Sequence, residues 1–243
     1  MRRNTRCFNL GEVNIGSDHP ISVQSMTKTD TRDIEKTVEQ INELEIAGCD
    51  IIRCAVPNID AAKSLRGIIL KTKLPIVADI HFEYRLALEA IKSGVHGLRI
   101  NPGNIGQKKR IISVVQSAKD SNIPIRIGVN SGSLEKDLLE KYGYPSADAL
   151  VESAERHLSI LDELDFKNVK VSVKSSNVNI MIDAYRKLAK KTDVPFHLGV
   201  TESGTYEIGS VKSSIGIGSL ISEGIGDTIR AVSYTPLTLP TKA

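Results

Sequence analysis

The chain has 243 residues, 40% of them hydrophobic, which is enough for one large core and close to the roughly 250 residues typical of a closed α/β barrel. Thirty-two Lys and Arg against 29 Asp and Glu leave a formal charge of +3, too even to argue for nucleic acid or an anionic membrane as a partner. The three cysteines, Cys7, Cys49 and Cys54, form no CxxC pair, and the start MRRNTRCFNL lacks a secretory apolar stretch, so the expectation is a protein of the reducing cytoplasm without a disulfide framework, zinc site or membrane span.

Short β-branched runs alternate with longer amphipathic segments, the pattern of repeated βα units. Eight runs predict strands: ISVQS (21–25), DIIRCAV (50–56), PIVADIH (75–81), GLRIN (97–101), PIRIGVN (124–130), VKVSVK (169–174), PFHLGV (195–200) and DTIR (227–230). Between the first two, residues 33–47 place Ile34, Val38, Ile41 and Leu44 on one helical stripe, and Gly48 ends it. Gly94 closes a later helix in the same way. The fold class expected is α/β, a TIM (β/α)8 barrel formed by residues 1–230, with an open doubly wound sheet as the alternative that strand counting leaves standing. After Arg230 the chain reads AVSYTPLTLPTKA, with two prolines and no helical period where an eighth helix belongs. Residues 231–243 are therefore expected to be a non-native tail, resembling sequencing-adapter DNA translated in frame, and the barrel to be truncated after strand eight.

Strand side chains alternate between faces, so parity sorts the barrel interior from the helix-facing side. With Leu98 and Ile100 facing the helices, Arg99 and Asn101 point inward; likewise Arg126, Gly128 and Asn130 share the interior face of their strand. Asp79 pairs in parity with His81, and Ser172 with Lys174, while Gln24, Arg53, His197 and Arg230 are the inward polar residues of their own strands. A barrel interior ordinarily holds Val, Ile and Leu, and an unpaired buried charge costs several kcal/mol. Five cations, Arg53, Arg99, Arg126, Lys174 and Arg230, outnumber the candidate partners Asp79 and Glu202. Such a surplus calls for a bound anion or water, and phosphate suits the forked donors of Arg. The segment TESGTYEIGSVKSSIG (201–216) opens a helix through small residues, with Gly209, Ser210 and Ser213 suited to close backbone approach, and INPGNIG (100–106) has the same character. The DxH pair Asp79 and His81, with His197, would serve a metal, but the surrounding cations oppose one, and no metal site is expected. His19, His96 and His157 read as loop or helix-surface residues, and Cys49 and Cys54 as packing thiols.

The strings VQSMT (23–27), IIRCAVP (51–57), VADIHF (77–82), LRINPGNIG (98–106), IPIRIGVNSGSLEKDLLEKYG (123–143), VSVKSS (171–176) and LISEGIGDTIR (220–230) closely resemble the 4-hydroxy-3-methylbut-2-enyl diphosphate synthase family, also called IspG or GcpE. The resemblance runs from about Thr5 to Arg230. It implies an oxidoreductase of non-mevalonate isoprenoid biosynthesis that reductively opens and dehydrates 2-C-methyl-D-erythritol 2,4-cyclodiphosphate with two electrons from ferredoxin or flavodoxin. It further implies substrate binding by Arg53, Arg99, Arg126, Lys174 and Arg230, a polar lining of Asp79, His81, Asn101, Asn130 and Ser172, and a catalytic proton donor in Glu202. The family holds a 4Fe-4S cluster on three cysteines and a glutamate in a C-terminal domain and works as a homodimer; Cys7, Cys49 and Cys54 do not match those ligands, so this chain is expected to be the substrate-binding barrel without its redox domain and inactive alone. Two alternatives are a phospholigand-binding barrel with no chemistry and a transferase like the pterin-binding synthases.

Overall fold

All eight apolar runs are parallel strands in the computed structural model, which describes residues 1–106 and 108–231. The elements in chain order are β1 (Phe8–Leu10), β2 (Val13–Ile15), β3 (Ser22–Met26), α1 (Ile34–Ile46), β4 (Ile51–Ala55), α2 (Ile59–Ile69), β5 (Ile76–Asp79), α3 (Tyr84–Lys92), β6 (Gly97–Ile100), α4 (Pro102–Ile105), α5 (Lys108–Asp120), β7 (Ile125–Asn130), a 3-10 turn (Ser131–Ser133), α6 (Lys136–Tyr142), α7 (Ala147–Glu163), β8 (Val169–Lys174), α8 (Val178–Ala189), β9 (His197–Leu198), α9 (Tyr206–Ser222) and β10 (Thr228–Ile229). Strands β3 to β8 pair in sequence order, β10 pairs with both β3 and β9, and a bridge from Val171 to Phe196 joins β8 to the β9 segment. The Val171 N–H donates to the Pro195 carbonyl at 3.0 Å and the Thr201 N–H to the Ser175 carbonyl at 3.3 Å along that seam. The ring is thus a TIM (β/α)8 barrel, and the open-sheet alternative falls. The expected break after strand eight and the tail expected to be non-native lie, from residue 232 onward, outside the described residues.

The local signals act as expected where they were read. Asp33 caps α1, its carboxylate accepting from the Lys36 N–H at 3.2 Å, and Gly48 follows the helix at φ +87°, a conformation that costs a side chain-bearing residue more. Leu98, Ile100, Ile125, Ile127, Val171 and Val173 face outward into the main core between strands and helices, each 1% exposed or less. No helix among the described residues is long and apolar enough to cross a membrane.

The hairpin β1–β2 is not among the expected elements. Its strands are three residues each, too short for periodicity to register, and the sequence signal is Gly11, which takes φ +57° at the turn between Leu10 and Val13. Phe8, Leu10 and Ile15 pack with Ile51 and Val77, the lowest inward residues of β4 and β5, in a second apolar cluster. The hairpin therefore stoppers the N-terminal end of the barrel, and Gly97 makes room for it: a Cβ there would lie 3.3 Å from Leu10 Cδ1. Arg2 and Arg3 fasten the segment before it, Arg2 by a 2.9 Å ion pair to the buried Asp227 and Arg3 by stacking 3.9 Å above the Phe196 ring. Because Leu10 fills an enclosed space, Leu10→Ala is expected to lower unfolding free energy by about 2–5 kcal/mol in a urea titration.

Candidate functional site

The polar interior begins one layer above the stopper. Register places Arg126 opposite Lys170, Arg99 opposite Arg126, and Asp79 opposite Arg99, so adjacent strands turn these side chains to one face. At the C-terminal ends of the strands they open into a cavity of about 290 Å³. Its wall includes Arg53, Asp79, Arg99, Arg126, Lys174 and Arg230, so five cationic residues face one carboxylate. His81, Asn130 and Ser172 complete the part expected from parity.

Asp79 organises the wall. Its Oδ2 lies 3.2 Å from Arg53 Nε and 3.3 Å from His81 Nε2, and its Oδ1 accepts from Arg99 Nη1 at 3.1 Å. Burial alone would raise the Asp79 pKa, but Arg53, His81 and Arg99 outweigh it and hold the carboxyl well below the usual carboxylate range. Arg53 also donates to Met26 Sδ at 2.9 Å. With its amide oriented to satisfy both ends, Asn130 accepts from Arg99 Nη2 at 3.2 Å and donates to the Val129 carbonyl at 3.1 Å. Two inward glycines leave space for the cations. A Cβ on Gly128 would sit 2.6 Å from Arg99 Nε, and one on Gly199 would sit 2.8 Å from Lys174 Nζ and 2.6 Å from the Arg230 carbonyl.

Arg126 and Lys174 have little opposite charge beside them. Burial, then Arg53 and Arg99, push the Arg126 guanidinium well below its ordinary value, and its Nε and Nη1 are buried without a hydrogen-bond partner. Lys174 is likewise pushed down by burial and by Arg126 and Arg230. Beneath them lies a layer with no outlet to the cavity wall: Gln24, Lys170 and His197, all 2% exposed or less. His197 Nδ1 pairs with Thr228 Oγ1 at 2.8 Å, but its Nε2, both Gln24 amide atoms and Lys170 Nζ are buried without a hydrogen-bond partner.

Several expected placements differ. Asn101 is inward and 3% exposed but does not line the cavity: its oxygen accepts from the Gly103 N–H at 3.1 Å to start α4 and its nitrogen faces Ser133 Oγ at 3.4 Å. Glu202 is exposed at φ +49° on the loop beyond Thr201, outside the cavity wall, with an oxygen 3.9 Å from where a Gly132 Cβ would be. Gly209, Ser210 and Ser213 lie within α9 rather than at its N-terminus, and the Gly209 N–H is already given to the Thr205 carbonyl at 2.8 Å, so close phosphate approach there is lost. His157 is not a surface residue; it is 6% exposed in α7 with Nε2 2.9 Å from Glu135 Oε1. His81 is at the mouth, with its side chain 54% exposed and Nε2 3.3 Å from Asp79 Oδ2, whereas His197 is fully buried in the lower layer, where its Nδ1 pairs with Thr228 Oγ1. Lys170, Met26, Val200 and Thr201 were not foreseen. Lys170 was legible, since it shares parity with Ser172 and Lys174; Val200 and Thr201 were not, because they follow a two-residue strand.

Residues 5–240 match the family model of the GcpE TIM-barrel domain. The chain belongs to the GcpE family. Curated GcpE relatives named 4-hydroxy-3-methylbut-2-en-1-yl diphosphate synthase (flavodoxin) are 63% identical in Clostridium acetobutylicum and 60% in Thermodesulfovibrio yellowstonii, each over 96% of this chain and 67% of that protein. A relative of the same name from Acidithiobacillus ferrooxidans is 58% identical over 94% of this chain and 63% of that protein, so the chain spans about two-thirds of the length of these relatives. Solved structures add the fold alone: 3-dehydroquinate dehydratase from Geobacillus kaustophilus superposes with TM-score 0.66 at 15% identity over 98% of this chain and 91% of that one. Dihydropteroate synthase from Xanthomonas albilineans superposes with TM-score 0.61 at 13% identity over 93% and 92%.

The lower layer makes a measurable claim about stability. Burial, then Arg126, brings the Lys170 pKa from 10.5 down to about 7. Below pH 7 both folded and unfolded chains hold the proton and the fold bears the full cost of the buried ammonium; between 7 and 10.5 only the unfolded chain holds it, so stability rises with pH. Lys170→Met is therefore expected to stabilise the fold by about 1–4 kcal/mol below neutral pH, an advantage that shrinks toward pH 10.5, as read from denaturant midpoints across pH.

Proposed function

We propose that this barrel binds the diphosphate of 2-C-methyl-D-erythritol 2,4-cyclodiphosphate for its two-electron reductive ring opening and dehydration to 4-hydroxy-3-methylbut-2-enyl diphosphate, the product for which its relatives are named. The observation that carries this reading is the cavity wall, in which five cations face a single carboxylate already shared by Arg53 and Arg99. A bound dianion supplies the missing charge and the acceptors for Arg126 Nε and Nη1. Ser172, Asn130 and His81 orient the ligand by hydrogen bonds, and Glu202, on the loop beyond Thr201, is the proposed donor of the proton that leaves with water. Flavodoxin or ferredoxin supplies the electrons, in a homodimer of the full-length enzyme and in the cytoplasm.

The cysteines of this chain do not fit the 4Fe-4S cluster that the family implies. Cys54 is fully buried, with its thiol pushed up to about 11 by burial, Cys49 is buried, and Cys7 is exposed, and no cluster of potential ligands exists among the described residues. What the chain's own residues perform is binding, orientation and proton delivery. The same observation favours a second reading, a free-standing barrel that binds the phospholigand and performs no chemistry; codons for a cysteine-rich domain downstream in the intact gene would support the first reading and their absence the second.

Calorimetric titration with the cyclic diphosphate tests the pocket. Arg99→Glu and Lys174→Glu are each expected to weaken binding by at least ~100-fold, and an unchanged affinity in both would refute the cavity as the binding site. A second outcome follows from the pKa directions. Burial and neighbouring cations lower the Lys174 pKa in the free barrel, whereas a bound dianion raises it, so between the two pKa values binding takes up a proton and affinity falls as pH rises through that window. Titrations in buffers of different ionisation enthalpy should show this uptake in the wild type and a smaller one in Lys174→Met.

A further inference from the structure

The cationic cavity has a neighbour of opposite character. Asp79 and His81 line both, and the second cavity, of about 270 Å³, is walled otherwise by Ala55, Val56, Pro57, Phe82 and Leu86, with the exposed Glu83 as its one further charged residue. Together the two reach the size of an ordinary small-molecule site, roughly 300–1,000 Å³. The shared wall presents little net charge to a passing ligand, since the Asp79 carboxylate is engaged by Arg53, Arg99 and His81. Phe82 marks the apolar side. It is 69% exposed, with its ring set edge-on to the His81 imidazole at 6.0 Å between centroids, where burying it would remove apolar surface from water. Leu86, on the first turns of α3, is only half-buried and continues the same surface inward to Val56, which belongs to the main core.

A compact cyclic substrate with one methyl gains little from Val56, Pro57 and Leu86, because its free hydroxyls would lose water there without partners. A ligand with an anionic head and a hydrocarbon tail matches both halves at once. We propose that the apolar cavity receives the tail of an allylic diphosphate longer than five carbons whose head occupies the cationic cavity. Such a compound is the class that condensation of five-carbon allylic diphosphates yields, so this barrel is built to be occupied competitively by products formed downstream of its own reaction. The inference rests on the anion-binding reading of the cationic cavity.

The test is calorimetry on the 243-residue chain with inorganic pyrophosphate, dimethylallyl diphosphate and geranyl diphosphate. Geranyl diphosphate is expected to bind at least ~10-fold more tightly than pyrophosphate, with the five-carbon compound between them. Phe82→Ser, at an exposed position, and Leu86→Asn should each remove most of that difference while leaving pyrophosphate affinity within about twofold, the folding of each variant being followed by its thermal transition. Pyrophosphate that binds while geranyl diphosphate binds no better overturns the inference alone, as does a tail preference that survives both substitutions. Failure of pyrophosphate itself to bind overturns the anion-binding reading and this inference with it.

Discussion

One buried carboxylate holds the functional end of this barrel together. Asp79 is 3% exposed and is engaged by Arg53, Arg99 and His81 at 3.1–3.3 Å, and Arg99 in turn engages Asn130. Without it, Arg53 and Arg99 would lose the carboxylate they share, and much of the several kcal/mol of desolvation per charge would go unrecovered. With it, they are held within 3.2 Å of one carboxylate beside Arg126 and Lys174, which have little opposite charge of their own. The arrangement orients two of the cations before any ligand arrives and leaves an excess of positive charge that would favour an anion.

The opposite end of the ring does the complementary work. A hairpin of six strand residues puts Phe8, Leu10 and Ile15 under Ile51 and Val77, so water is kept from the bottom of the polar interior. Between stopper and cavity lie Gln24, Lys170 and His197, polar groups whose unsatisfied atoms run against the usual rule that buried donors and acceptors are paired. Lys170 lies opposite Arg126 in the strand register, and burial, then Arg126, push both Lys170 and His197 down, so the charge of this layer and that of the cavity wall above it are coupled. Destabilising polar burial of this kind concentrates where function demands it.

The family membership and the geometry agree by separate routes. Parity along β6, β7 and β8 placed Arg99, Arg126, Asn130, Ser172 and Lys174 inside the ring before any pairing was known, and the strand register puts them there. Where the reading of single residues went astray, a local hydrogen bond had intervened. Asn101 has the right parity but is drawn off to start α4, and Gly209 has the right chemistry but lies a turn too far into α9. Neither event is visible in a pattern of side-chain types, because both depend on where a helix begins to within one residue.

What the amino-acid order determined by itself was the repeat of βα units, the face on which each strand residue lies, and an excess of inward cations, since alternation along an extended chain is a local property that needs no partner. Closure of the ring at the β8–β9 seam, the stopper made by β1–β2, the sharing of Asp79 among three partners and the apolar chamber beyond His81 were decided by tertiary structure alone. Each of these joins residues far apart in the chain, and their distances follow from how eight strands tilt and pack around a common axis rather than from any stretch of sequence.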